Sequence, residues 1–324
     1  MNPLKRFGID TYMLLLIGTV VLGVVVPAQG IAAVGLKSLT YWAVSLLFFL
    51  YGLKLDPQSV RAGLLNWRLQ GLTFLATYVM FPLLGLALSP FAEPVLGPEV
   101  TLGILFLAVL PSTVQSSIAF TGIAGGNVPA AICAASLSNL VGVALTPLLV
   151  AVMLHTGGGE INFDAVIRIG TQILLPFVLG QALRPLIGFF VARHRRLTLL
   201  VDRGSILLIV YSAFSAGTVS GLWEAVPPAR LGALFGAIVV FLAISMGLMV
   251  GAGRLFGLPR EDRAALFFCG STKSIATGLP IASALFPVAE VGAIVLPAMI
   301  YHITQLLICA FVSQRAARQL PEDA

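Results

Sequence analysis

The chain has 324 residues, 58% of them hydrophobic and 10% charged, with a formal net charge of +6 and a mean hydropathy of +1.01. A soluble domain carries about 25% charged residues and needs polar cover for its surface, so this composition excludes a water-soluble globular fold. Lipid removes that requirement: a spanning helix takes roughly 20 apolar residues, and ten of them with short loops fill the chain.

In chain order, the apolar segments predict spans at Tyr12–Val26, Val34–Leu53, Leu69–Leu88, Val100–Ile123, Val128–Leu154, Ala165–Leu183, Leu199–Val219, Leu231–Gly251, Ala264–Leu285 and Val288–Val312. The polar stretch Met1–Asp10 does not read as a cleaved signal peptide, so the first apolar run is expected to be retained. Turn chemistry separates the spans at Pro27, Asp56-Pro57, Pro90, Gly125-Gly126-Asn127, Gly157-Gly158-Gly159, Pro227-Pro228 and Pro259. Ten spans leave Lys37, Arg168 and Arg230 on one side of the bilayer and Lys273 inside it. Every other Lys and Arg shares the side of the two termini. That asymmetry predicts a multi-pass protein of the cell (inner) membrane with both termini cytoplasmic. The positive charge is thus a topology signal, not a sign of nucleic acid. The cluster Arg193-His194-Arg195-Arg196 is expected at the cytoplasmic surface beside anionic lipid. Cys133, Cys269 and Cys309 fall in apolar runs and read as buried thiols, with no metal-ligand spacing.

Ten spans divide into halves of five, and an odd-numbered half that is duplicated re-enters the membrane upside down. The expected fold is therefore all-α: one transmembrane transporter domain over 1–324 with inverted repeats at about 10–155 and 163–313. Such repeats carry Gly/Pro-interrupted spans at matching places. The fourth span has Leu110-Pro111-Ser112-Thr113-Val114-Gln115-Ser116-Ser117. The ninth has Cys269-Gly270-Ser271-Thr272-Lys273-Ser274 and then Gly278-Leu279-Pro280. Irregular backbone at membrane depth survives only where protein or water satisfies it, so two broken helices meeting there make a candidate solute site.

Lys273 is the most informative residue. A charge at that depth is costly and marks a functional position by default. No acidic residue lies deep in a predicted span, so the ammonium must bind an anion, lean on carbonyls, or lose its proton. His302 and Gln305 lie in the tenth span, Gln305 on the same face as Tyr301. Thr77, Gln115, Ser138 and Asn139 are further candidate polar liners.

The stretch Phe48–Lys54 (FFLYGLK), the region from Pro111 through Gly125-Gly126-Asn127 to Thr146-Pro147, the Cys269–Pro280 crossover and Tyr301-His302 together resemble the bile acid:sodium symporter family. The likeness is to its divergent branch of sodium-dependent transporters, related to solute carrier family 10, and covers nearly the whole chain. It implies a panel of the first, second, sixth and seventh spans. It also implies a core of the third to fifth and eighth to tenth, in which broken helices four and nine cross. It further implies sodium behind the crossing. The family's ligand positions fall on Ser116 and Ser117, Ser136, Thr77, Ser271 and His302. Ser271 stands where the family has a glutamate, and Lys273 follows two residues later, so a lysine ammonium could take the role of a sodium ion.

These readings predict a secondary active transporter, sodium-coupled, moving a small organic anion by alternating access. Ser116, Ser117, Ser271, Thr272 and Lys273 are expected at the crossing with His302 nearby, and Ser116, Ser117 and Ser271 are the expected sodium ligands. No resident cofactor is expected. The alternatives are proton-coupled or uncoupled transport with Lys273 in place of sodium, and a non-transporting regulator, for which the loops are short. A Ser/Lys intramembrane hydrolase lacks a G-x-S-x-G element or an oxyanion-hole signal, so an enzyme is not expected.

Overall fold

A computed structural model describes residues 11–54, 66–155, 169–221 and 227–318. Lys5, Arg6, Arg61 and Arg168, the turns at Asp56-Pro57 and Gly157-Gly158-Gly159, and the start of the sixth predicted span lie outside the described residues. Among the described residues all regular structure is helical. In lipid a helix satisfies its own backbone, which near-continuous apolar sequence demands.

The helices are α1 (Thr11–Val25), α2 (Gly30–Lys54), α3 (Trp67–Leu75), α4 (Phe81–Leu96), α5 (Pro98–Val109), α6 (Gln115–Ile123), α7 (Val128–His155), α8 (Leu175–Arg193), α9 (Arg195–Val219), α10 (Pro228–Leu255), α11 (Arg260–Ser271), α12 (Ile275–Leu285) and α13 (Val288–Ala317). A π-helical turn, Ala76–Met80, joins α3 to α4 without a break, and a second, Ile169–Leu174, leads into α8. Among the described residues seven helices are long and apolar enough to cross a membrane. The other three predicted spans fall on α1 and on the interrupted pairs α5–α6 and α11–α12.

One expectation fails locally. Pro90 does not mark a turn: α4 runs through it and through Pro94 to Leu96. Proline removes the hydrogen bond its nitrogen would give to the carbonyl four residues back. Here Ser89 Oγ donates to that carbonyl, Leu86 O, at 3.0 Å, so the helix continues.

Two packing groups position the site. In the first, α2 lies against α8 and α1 against α9. The backbones of α2 and α8 approach so closely at Gly52 and Gly180 that a Cβ on either would strike the facing carbonyl, Phe177 O or Phe49 O. Small residues at such contacts are how membrane helices gain packing energy without a hydrophobic drive. In the second group α5 sits among α4 and α13, while α11 packs on α10, α6, α7 and α3. Its interior is filled by Phe81, Phe106, Phe241 and Phe268, all under 3% exposed. Apolar side chains such as Leu14, Trp42, Phe91, Phe189 and Leu200 point outward, as lipid permits.

Candidate functional site

The chain between α5 and α6 and the chain between α11 and α12 are both non-helical, and they touch: Ser274 N donates to Pro111 O at 2.8 Å. Each interruption is held by side chains from the long helix after its second half, α7 for the first and α13 for the second. On the first, Ser138 Oγ accepts from Ser112 N (3.0 Å) and Asn139 Nδ2 donates to Ser112 O (2.7 Å). On the second, Gln305 Oε1 accepts from Lys273 N (2.8 Å) and Gln305 Nε2 donates to Lys273 O (2.9 Å). Thr277 Oγ1 donates to Asn139 Oδ1 at 2.7 Å, tying α12 to the first clamp. The freed peptide groups are thus paired, as burial in a low-dielectric interior requires.

Lys273 is 1% exposed. Its Nζ donates to Leu110 O (2.7 Å), Ala108 O (2.9 Å) and Thr77 O (3.1 Å), and stands 4.0 Å from the centroid of the Phe81 ring. Each carbonyl is available for a local reason. Ala108 O loses its helical donor because Ser112 N turns to Ser138 Oγ. Leu110 lies past the end of α5 in extended backbone (φ −68, ψ 149). Thr77 O is freed by the π turn: Phe81 N bonds Ala76 O instead, and the next residue, Pro82, has no N–H to give. Two backbone irregularities therefore converge on one ammonium. An ammonium has three donors, and all three are used. Of the three fates open to Lys273, the structure shows the carbonyls. No carboxylate lies within 4.0 Å of it among the described residues.

Hydroxyls gather beside the lysine. Ser117 Oγ is 2.8 Å from Thr272 Oγ1 and 2.7 Å from Thr113 Oγ1. Ser116 Oγ donates to Thr113 Oγ1 at 2.7 Å, and Ser112 Oγ is 3.2 Å from Thr272 Oγ1. Ser116, Ser117, Thr272 and Lys273 are thus together. Ser271 is adjacent in chain, but its hydroxyl donates back to Phe267 O within α11, and its carbonyl accepts from Tyr301 Oη at 2.7 Å. Thr77 takes part through its carbonyl, since its hydroxyl bonds Thr73 O. His302 reaches the site through Gln305, with Nδ1 3.0 Å from Nε2. Ser136 is half-buried on α7, two residues from Ser138, which makes the contact instead. Gln115 begins α6, and its side chain lies outside the described residues. Sequence reasoning missed Ser112, Thr113, Phe81 and the carbonyls of Ala108 and Leu110. Pro82 was the available signal for Thr77 O, because a proline withholds a donor from a carbonyl upstream, and Pro111 marked only the place where α5 breaks.

A cavity of about 940 Å³ opens between α2, α9 and the π turn before α8 on one side and the α12–α13 junction on the other. Lys37, Thr40, Gln172, Ser212 and Ser283 are among the polar residues of a mainly apolar wall, and the described residues that line it include no Asp or Glu. Thr40 is 7% exposed, and its hydroxyl has no partner. Helical threonines elsewhere, Thr73, Thr101, Thr121 and Thr304 among them, return their hydroxyl to the carbonyl four residues back.

Comparison with known proteins gives one consistent answer. Residues 10–318 match the SBF-like CPA transporter family. The chain is 49% identical to "Uncharacterized protein PA2026" of Pseudomonas aeruginosa, over 98% of this chain and 96% of that protein. It is 42% identical to "Putative symporter YfeH" of Escherichia coli K12 over the same shares. It is 28% identical to sodium/bile acid cotransporter 7 of Danio rerio, over 84% of this chain and 82% of that one.

Proposed function

The chain belongs to the SBF-like CPA transporter family and is a multi-pass membrane transporter of the bile acid:sodium symporter type, not an enzyme; from that premise we propose that it carries a small organic anion by alternating access. The observation that carries this reading is the cavity: about 940 Å³, within the range of ligand pockets, with the Lys37 cation and unspent polar groups on its wall and no acidic residue among the described residues that line it. All three donors of Lys273 are engaged, so an anion is met at this cavity and not by the buried lysine.

We read the helices as ten spans in two inverted five-helix repeats. Three matched features support this: the two interruptions, their clamps from the next span (α7 and α13), and the pairing of α1 with α9 and α2 with α8, which exchange under such a repeat. On this reading α1, α2, α8 and α9 form the panel, the other helices form the core, and the cavity lies between them. The arginine asymmetry puts both termini in the cytoplasm of the inner membrane. The cavity then opens away from it, beside the α1–α2 and α12–α13 turns.

The test is uptake into proteoliposomes of a panel of carboxylates and sulfonates on apolar skeletons, each beside an uncharged analogue. Anions enter and the analogues do not, and Lys37→Gln raises KM while leaving maximal flux near its starting value. If no anion crosses while the protein retains a stable partner in pull-downs, the chain is a regulator and the reading falls.

A second reading, sodium symport, is favoured by the hydroxyl cluster of Ser112, Thr113, Ser116, Ser117 and Thr272, since sodium prefers hard oxygen ligands. It predicts sodium-stimulated uptake that Thr272→Val abolishes.

A further inference from the structure

The surroundings of Lys273 Nζ are those of a bound monovalent cation, not of an ion pair. Three main-chain carbonyl oxygens converge at 2.7, 2.9 and 3.1 Å, and the face of Phe81 closes the fourth side at 4.0 Å. Aromatic faces attract cations through the ring quadrupole. Carbonyl oxygens are the ligands that replace the hydration shell of an alkali cation at membrane depth. Nothing anionic balances the charge among the described residues, so the attraction is ion to dipole throughout.

The nest is built, not incidental. It draws on two separate segments: the continuous π turn and start of α4 for Thr77 O and the Phe81 ring, and the end of α5 for Ala108 O and Leu110 O. The peptide that carries the lysine is fixed at both its N–H and its C=O by Gln305. Phe81 is itself wedged edge-on against Phe241 and Tyr301, so the ring face is held toward the ammonium. This arrangement pins a cation at the crossing of the two interruptions and links it covalently to the interruption of the ninth span.

We propose that Lys273 is a resident, tethered cation that takes the place of a coupling sodium ion, so that the crossing is assembled and the chain works without sodium. This deepens the organic-anion reading and rests on it for its role in transport, but its structural content stands apart from any substrate. A sodium ion leaves with each cycle and carries a gradient, whereas a tethered ammonium stays. The energetic consequence is that the crossing is always occupied, and anion movement draws on no sodium gradient.

The test is thermal unfolding of the purified protein in sodium chloride and in choline chloride at equal ionic strength and pH. The natural chain melts at the same temperature in both. Lys273→Ala melts lower and recovers several degrees in sodium chloride or in n-propylammonium chloride, whose atoms match those removed, but not in tetramethylammonium chloride. Should Lys273→Ala not fold, Lys273→Met keeps the stem volume and gives the first half of the signature, a lowered melting point. Two results overturn the proposal. One is a sodium-specific rise in the natural chain that Thr272→Val removes, which puts sodium in the hydroxyl cluster. The other is a variant that matches the natural chain and ignores every cation. Failure of all organic anions to cross proteoliposomes strikes the transport reading alone and leaves the melting result intact.

Discussion

The two interruptions at the centre of the molecule are held alike and charged differently. Between α5 and α6 the peptide of Ser112 is gripped by Ser138 and Asn139; between α11 and α12 the peptide of Lys273 is gripped by Gln305. The first interruption contributes carbonyls and hydroxyls, and the second contributes a buried ammonium, which reaches across to those carbonyls. The shared clamp is what a broken helix needs to exist in lipid at all. The difference in charge turns two structural devices into a functional pair: one side is a ligand set and the other is its ligand.

Lys273→Ala breaks that comparison most completely. It strips a donor from three buried carbonyls, and each unsatisfied buried acceptor costs about 1–3 kcal/mol. A stability loss of roughly 3 kcal/mol or more is expected, read by thermal unfolding in detergent. Gln305→Leu should come next, at about 2 kcal/mol, because it unpairs both the N–H and the C=O of Lys273. Gln305→Glu should recover part of that loss, since a carboxylate still accepts from Lys273 N. Asn139→Ala should cost less, about 1 kcal/mol, because Ser138 continues to hold Ser112 N. Thr272→Val should cost least, under about 1 kcal/mol, since Thr113, Ser116 and Ser117 keep bonds among themselves. If Asn139→Ala proves as harmful as Gln305→Leu, the clamps are equal and the charge is not what separates the two regions.

Much of this was legible in the sequence because membrane solvation leaves so few solutions. Ten apolar runs, two of them interrupted by Pro111 and by Gly270–Ser274, pointed to where the backbone is irregular. Lys273 stood out as the single charge deep within them, away from any span end. What escaped was the ammonium's partner set. Main-chain carbonyls have no side-chain signature, and the release of Thr77 O depends on a π turn whose only mark is Pro82 one helical turn later. The same limit explains Ser271. It aligned by position with a ligand, but a serine in a helix readily bonds its own backbone, and this one does, to Phe267 O. Pro90 misled in the opposite direction, because Ser89 repairs the gap that proline leaves. The cavity could not be read at all: Lys37 and Gln172 are distant in sequence and meet only through packing.

The central claim is that Lys273 stands where a coupling ion would. Its most direct test is the initial rate of organic-anion uptake into proteoliposomes, with and without an inward sodium gradient at constant ionic strength and membrane potential. The account predicts equal rates for the natural chain, and for Lys273→Ala a much lower rate without sodium that the sodium gradient partly restores. A several-fold acceleration of the natural chain by the sodium gradient would contradict it.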